Sequence, residues 1–141
     1  MSKDGIFVDS DVIISSLLSV KGAAYFLLNQ PNEFVISNVS KKELERVADR
    51  LEISRNKLHN LIQKRFKTVK LITDLAIIKS DFKDYTNDPN DAHIVAGAAE
   101  AKAKFLLTYN IRHFNKQKIS EDFDITVLTP AQYLQYLRSL E

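Results

Sequence analysis

Hydrophobic and polar positions change period in a regular way along this chain. Ile6-Phe7-Val8 is a short apolar run that predicts a buried strand. Asp9-Ser10-Asp11 follows, with side chains that cap helix N-termini, and residues 12–18 and 23–28 then predict helix, broken near Lys21-Gly22. Asn29-Gln30-Pro31-Asn32 marks a turn before a second strand over 33–37. Leu44, Val47, Ala48 and Leu51 recur at the spacing of one amphipathic face, so 39–51 predicts helix. Residues 54–66 predict another, with Leu58, Leu61, Ile62 and Phe66 inward and Arg55, Lys57, Lys64 and Arg65 outward. A third strand is expected over 68–72, and a polar, irregular stretch over 73–88 with at most a helical turn at 75–78. Asp88-Pro89 opens a long Ala-rich helix to about 103, since proline suits a first helical position. A fourth strand over 105–108, a short turn or helix over 111–115 and a fifth strand over 125–128 follow. Thr129-Pro130 caps a final helix ending near Leu140, with Tyr133, Leu134 and Leu137 inward.

Short strands, apolar on both faces and alternating with helices, place the chain in the α/β class. The expectation is a three-layer α/β/α sandwich around a central, mainly parallel five-stranded sheet. The length of 141 residues suits one domain spanning 1–141. The absence of cysteine excludes disulfides, zinc fingers and thiol nucleophiles, and 3 His are few for an imidazole zinc site. No apolar run approaches the roughly 18 residues of a membrane helix. The opening Met-Ser-Lys-Asp-Gly-Ile-Phe-Val-Asp puts a carboxylate where a signal peptide carries its apolar stretch. A cytoplasmic protein with no membrane partner is therefore expected.

The net charge of +2 conceals a division. Residues 41–70 hold ten Lys or Arg against four acids, and residues 73–91 hold five acids against two Lys. Adjacent basic and acidic blocks suit a polyanion and a cation centre, and suit equally two solvated helix faces beside an acidic loop.

Ligands of open α/β sheets bind beyond the carboxyl ends of the strands, and the acids fall there. Asp9 ends the first predicted strand, Glu43 lies early in the helix after the second, and Asp91 lies in the first turn of the Ala-rich helix. Thr108 and Asn110 end the fourth strand. Three carboxylates converging on one desolvated point would raise one another's pKa. A divalent cation removes that conflict, and oxygen-only ligands suit Mg²⁺ or Mn²⁺. Each acid also has a local explanation: Asp9 as a helix cap, Ser40 to Glu43 as a capping box, Asp91 beside Asp88 as N-terminal caps. Asp11 and Asp88 suit caps or supports of the ligands better than ligands.

These residues carry a resemblance. Phe7-Val8-Asp9-Ser10-Asp11, Ile36-Ser37 through Glu43-Leu44 to Arg46-Val47, Asp88-Pro89-Asn90-Asp91-Ala92-His93, and Leu106-Leu107-Thr108-Tyr109-Asn110 through His113-Phe114 occur in order, followed by Thr129-Pro130 through Leu134. The chain thereby resembles the PIN-domain nucleases, in particular the VapC-type toxins of toxin–antitoxin pairs, over nearly its whole length. The resemblance implies a PIN-like domain with Asp9, Glu43 and Asp91 as Mg²⁺ or Mn²⁺ ligands and catalytic residues. It implies a metal-dependent ribonuclease hydrolysing RNA phosphodiester bonds, with an antitoxin partner and often a homodimer. Two positions depart from the pattern: Asp11 replaces a usual Asn, and Asn110 stands where many members carry a fourth acid.

Within that expectation Thr108 holds a ligating carboxylate, and Asn110 and His113 orient a water or a phosphate oxygen. Lys41, Lys42, Arg46 and Arg112 hold the RNA backbone. A catalytically weak RNA- or protein-binding module is the alternative, favoured by the missing fourth acid. A phospho-accepting aspartate domain shares the fold class and the acid after strand one. The segment Ile125 to Pro130, however, lacks the lysine of a receiver, and no late acidic pair with its lysine completes a phosphatase.

Overall fold

The computed structural model of the protein describes residues 5–141, so the first four residues of the opening stretch lie outside it. Five strands, β1 (Gly5–Val8), β2 (Glu33–Ser37), β3 (Phe66–Val69), β4 (Phe105–Leu107) and β5 (Thr126–Leu128), form one sheet in the order β3-β2-β1-β4-β5. All four pairings are parallel. Eight helices cover it: α1 (Ser10–Leu18), α2 (Ala23–Leu28), α3 (Asn38–Arg50), α4 (Arg55–Arg65), α5 (Leu75–Asp81), α6 (Ala92–Glu100), α7 (Lys116–Phe123) and α8 (Pro130–Ser139). This is the expected α/β/α sandwich, with a wholly parallel sheet.

The alternation of side chains along each strand divides the core in two. Ile6, Val8, Phe34, Ile36, Phe105 and Leu107 pack under α1 to α4 and α8. Phe7, Val35, Leu106 and Val127 pack under α6 and α7. No helix among the described residues is long and apolar enough to cross a membrane.

Several expected boundaries move. β3 starts at Phe66, two residues before the expected strand, so Phe66 pairs with Phe34 across the sheet instead of closing a helix. Leu51 follows α3 and is exposed, outside the inward stripe. Arg65 does not face solvent: its guanidinium donates to the carbonyls of Leu28 (2.7 Å) and Gln30 and lies over the Phe34 ring. α5 is a full helix where a single turn was expected. Pro89 opens a 3-10 turn, Pro89–Asp91, and α6 proper runs only from Ala92 to Glu100. α7 lies in a stretch for which no element was expected. Tyr133, Leu134, Tyr136 and Leu137 of α8 pack on the first core, leaving Leu140 exposed.

Candidate functional site

The carboxyl ends of β1, β2 and β4 carry the polar residues that the sequence singled out. Past the last strand residues the ladder continues by one bond on each side. The Asp9 N–H donates to the Leu107 carbonyl at 2.9 Å and the Thr108 N–H to the Leu128 carbonyl at 3.0 Å. Asp9 is thus fixed by sheet hydrogen bonding before it caps α1. Its Oδ1 accepts the Ser10 N–H at 2.7 Å and its Oδ2 accepts the Thr108 hydroxyl at 2.9 Å. Thr108, wholly buried, accepts in turn the Asn110 N–H at 3.0 Å. Asp11 Oδ2 accepts the Tyr109 N–H at 3.0 Å, tying the start of α1 to the turn after β4. Asp9 therefore both caps a helix and faces the site, so the two explanations of that residue coexist.

Ser37, not Ser40, is the N-cap of α3: its hydroxyl accepts the Ser40 N–H at 3.0 Å. The capping box expected from Ser40 to Glu43 does not form, and Glu43 extends towards the site. Asp91 ends the 3-10 turn, makes no cap hydrogen bond, and lies 3.0 Å from His113 Nδ1. Asp88 accepts the Asn90 N–H at 3.0 Å as a cap of that turn.

Asp9, Asp11, Glu43, Asp91 and Asn110 line one cavity of about 500 Å³, together with Ser10, Ile14 and Val47. Burial, then the charges of Asp11 and Asp91, push the Asp9 carboxyl well above the usual carboxylate range. Burial is also the leading cause of the upward shifts of Asp11 and Asp91. Glu43 goes the other way, held down by the His93 ring, whose Nε2 lies 3.3 Å from Oε2. Acids that raise one another in a desolvated pocket lack a counter-charge. Two buried polar atoms beside Asp9 meet no partner at full hydrogen-bond geometry, Asp11 Oδ1 and Ser10 Oγ, the latter hydroxyl still close enough to Glu43 to help hold its carboxyl down. An all-oxygen donor set in which Asp9, Asp11 and Asp91 are raised and Asp11 keeps an unpaired carboxylate oxygen fits a hard dication with its water shell.

The tightest grouping lies at the rim. One ligand atom each from Asp88, Asp91 and His113 falls within 4.8 Å of the others. Of the cations expected to hold RNA, Arg46 lies beside Glu43 in a neighbouring cleft. Lys41 lines a separate pocket with His59, Gln63 and Phe66, so its proximity in sequence to Glu43 does not become proximity to the cavity. Lys42 is exposed on α3, and Arg112 is exposed on the 3-10 turn after β4, its carbonyl accepting from Asn87 Nδ2 at 2.7 Å. Sequence reasoning passed over His93. A histidine inside the apolar run Ala92 to Ala99 is 7% exposed, and a buried imidazole needs a polar partner. That need was the available signal.

Comparison with known proteins places this geometry. Residues 5–112 match the family profile of the PIN domain, and the chain belongs to that family. No curated protein matches the sequence significantly. Among solved structures, a toxin–antitoxin complex from Klebsiella pneumoniae is similar, with TM-score 0.65 and 20% identity over 89% of this chain and 97% of the other. VapBC2 from Rickettsia felis bound to a DNA fragment from its promoter is also similar, with TM-score 0.60 and 15% identity over 89% of this chain and 98% of the other. At these identities the likeness is one of fold.

Proposed function

We propose that this chain is a Mg²⁺- or Mn²⁺-dependent endoribonuclease, the toxin of a toxin–antitoxin pair, acting as one PIN-like domain. The observation that carries the proposal is the meeting of Asp9 and Asp11 from the end of β1, Glu43 from α3 and Asp91 from the turn before α6 around one cavity. Membership of the PIN family supports it.

Asp9, Glu43 and Asp91 would hold the dication. When bound, it polarises a phosphoryl oxygen and acidifies water, the two contributions that phosphodiester hydrolysis requires. Thr108 fixes the rotamer of Asp9 through its hydroxyl, which keeps one carboxylate oxygen aimed at the cavity. His113 and His93 hold Asp91 and Glu43 from outside. The amide of Asn110, on the cavity wall, orients a phosphate oxygen or the attacking water. Arg46 meets the RNA backbone beside Glu43, with Arg112 and Lys42 further out. The fold shared with the Klebsiella and Rickettsia structures supports an antitoxin partner. A homodimer remains part of the proposal, although α8 spends its aromatic residues on the core.

The test is cleavage of structured and single-stranded RNAs by the purified protein with Mg²⁺ or Mn²⁺, then with EDTA. Metal-dependent cleavage that vanishes in Asp9→Asn and Asp91→Asn is expected. Cleavage that survives EDTA or both substitutions overturns the proposal. RNA binding without cleavage under any of these conditions favours the binding module, the reading to which Asn110 in place of a fourth acid points.

A further inference from the structure

The carboxylate cavity has a neighbour. A second cleft, of about 430 Å³, shares Glu43 with it and is walled by three elements. α3 contributes Val39, Glu43 and Arg46 from one face. α5 contributes Leu75, Ile78 and Lys79, and the 3-10 turn leading into α6 contributes Pro89 and Asn90. His93 stands between the two cavities, with Nε2 on Glu43 and a buried Nδ1 that has no partner.

We propose that this cleft binds one nucleotide of the RNA, the one flanking the phosphodiester that is cut. The inference rests on the nuclease reading above and names a subsite for its substrate. The volume falls within the usual range of small-molecule sites, about 300–1,000 Å³, and fits a mononucleotide. The lining has the two halves that a nucleotide needs. Leu75, Ile78 and Pro89 offer an apolar wall for the face of a base. Arg46 and Lys79 offer positive charge to its phosphate: Lys79 makes no ion pair among the described residues, and Arg46 lies close enough to Glu43 to help hold its carboxyl down. Asn90 supplies an amide, donor and acceptor together, for a base edge.

The wall is built in advance of any ligand. The Asn38 side chain clasps the backbone before α5, with Leu71 N–H donating to Oδ1 at 2.8 Å and Nδ2 donating to the Leu71 carbonyl at 3.2 Å. Ile78 is buried against α6, which holds α5 in place while Leu75 stays half exposed. The polar stretch over 73–88 thus becomes the far wall of the cleft, and its Lys79 is a cation that sequence reasoning did not select.

The test titrates AMP, GMP, CMP and UMP separately into the full chain in EDTA, followed by ¹H–¹⁵N NMR. At least one is expected to shift Val39, Leu75, Ile78 and Asn90. Lys79→Glu and Leu75→Asp should weaken it fivefold or more, while Ile77→Ser, on the same helix but outside the cleft, leaves it unchanged. For a short single-stranded RNA in EDTA, Lys79→Ala should flatten the slope of log Kd against log salt by about 0.7, one phosphate contact. In cleavage assays Lys79→Glu should raise KM tenfold with kcat little changed. Metal-dependent cleavage with an unaltered KM, and shifts that map elsewhere, overturns the subsite and leaves the nuclease standing. Nucleotide shifts in the cleft of a chain that never cuts RNA uphold the binding assignment and remove only the catalytic reading beneath it.

Discussion

Asp9 is asked for two things that conflict. The sheet and α1 need an acceptor there, and the Ser10 N–H and Thr108 hydroxyl fill that need. Burial beside Asp11 and Asp91 makes a negative charge there costly. A carboxyl whose pKa is raised by folding holds its proton more tightly in the fold than in the unfolded chain. Its stabilisation is complete below the usual carboxylate range and is lost as pH rises through the folded value. In EDTA the protein should therefore melt at a lower temperature at pH 7.5 than at pH 5.5. Asn at position 9 keeps an acceptor for the Ser10 N–H and removes the charge. Asp9→Asn should raise the metal-free Tm at neutral pH by roughly 3–6 °C, the shift of about 1 kcal/mol in a chain of this size. Calorimetry checks both, and a Tm that falls in Asp9→Asn would show that the Thr108 hydrogen bond, which an amide nitrogen cannot accept, outweighs the repulsion. Away from the site, the Tyr85 hydroxyl donates to Asp122 at 2.6 Å, and that bond leads in pushing its pKa up to about 12. Folding thus favours the neutral phenol, a contribution present below the ordinary value of 10.0 and lost as pH climbs towards about 12. Ultraviolet titration should find Tyr85 late, and Asp122→Asn should bring it back towards its ordinary value.

Among the elements, α6 approaches the sheet closely, and one residue permits it. A Cβ on Gly97 would lie 2.6 Å from Phe7 Cζ, and Phe7 is wholly buried in β1. Gly97→Ala must lift α6 or turn the ring, at about 1–3 kcal/mol, and because Asp91 and His93 sit at the head of the same helix it should lower RNA cleavage as well as Tm. Gly22→Ala, with nothing within 4 Å of its added carbon, serves as the control and should leave both unchanged. A Gly97→Ala protein with wild-type Tm would mean that the interface relaxes freely. The elements legible in the sequence were those with a continuous apolar signal: β1, β2, β4, β5 and the face of α3. α7 lacked one, since only Ile119 of its eight residues is buried, Phe123 packs half-buried at its end and the other six are polar. Its one local sign was Asn115, which accepts the Lys118 N–H as a cap. α5 was read only as a turn because its apolar run is four residues, Leu75 to Ile78, of which only Ile78 is buried. β3 was misplaced because an edge strand with exposed Lys67 and Thr68 has little alternation to read. Arg65 looked like surface because nothing in its helix announces that two carbonyls of another loop will need its guanidinium.

At the scale of the whole molecule, the chain builds β1 first, adds β2 and β3 on one side, and returns to add β4 and β5 on the other. The crevice of such a sheet opens where the winding reverses, at the carboxyl end of the central strand, which here is β1 with Asp9 at its tip. That Asp9 ends the first strand was legible in the sequence; that this strand is the central one was not. Nor was it legible which of two overlapping acid sets holds the ion, because Asp91 belongs to both: to the cavity with Asp9 and Glu43, and to the rim with Asp88 and His113. Linkage separates them. An ion that binds only the folded protein raises its stability by about 2.7 kcal/mol at a hundred times its Kd, roughly 8–16 °C of Tm at this length. If the cavity is the site, Asp88→Asn should keep the rise in Tm on adding Mn²⁺ or Mg²⁺, whereas Asp9→Asn should lose most of it while starting from a higher metal-free Tm. The rim predicts the reverse, a rise kept in Asp9→Asn and lost in Asp88→Asn. The two single variants, each scanned with EDTA and with saturating cation, decide between them without any RNA in the assay, so the position of the metal is settled independently of whether the protein cuts.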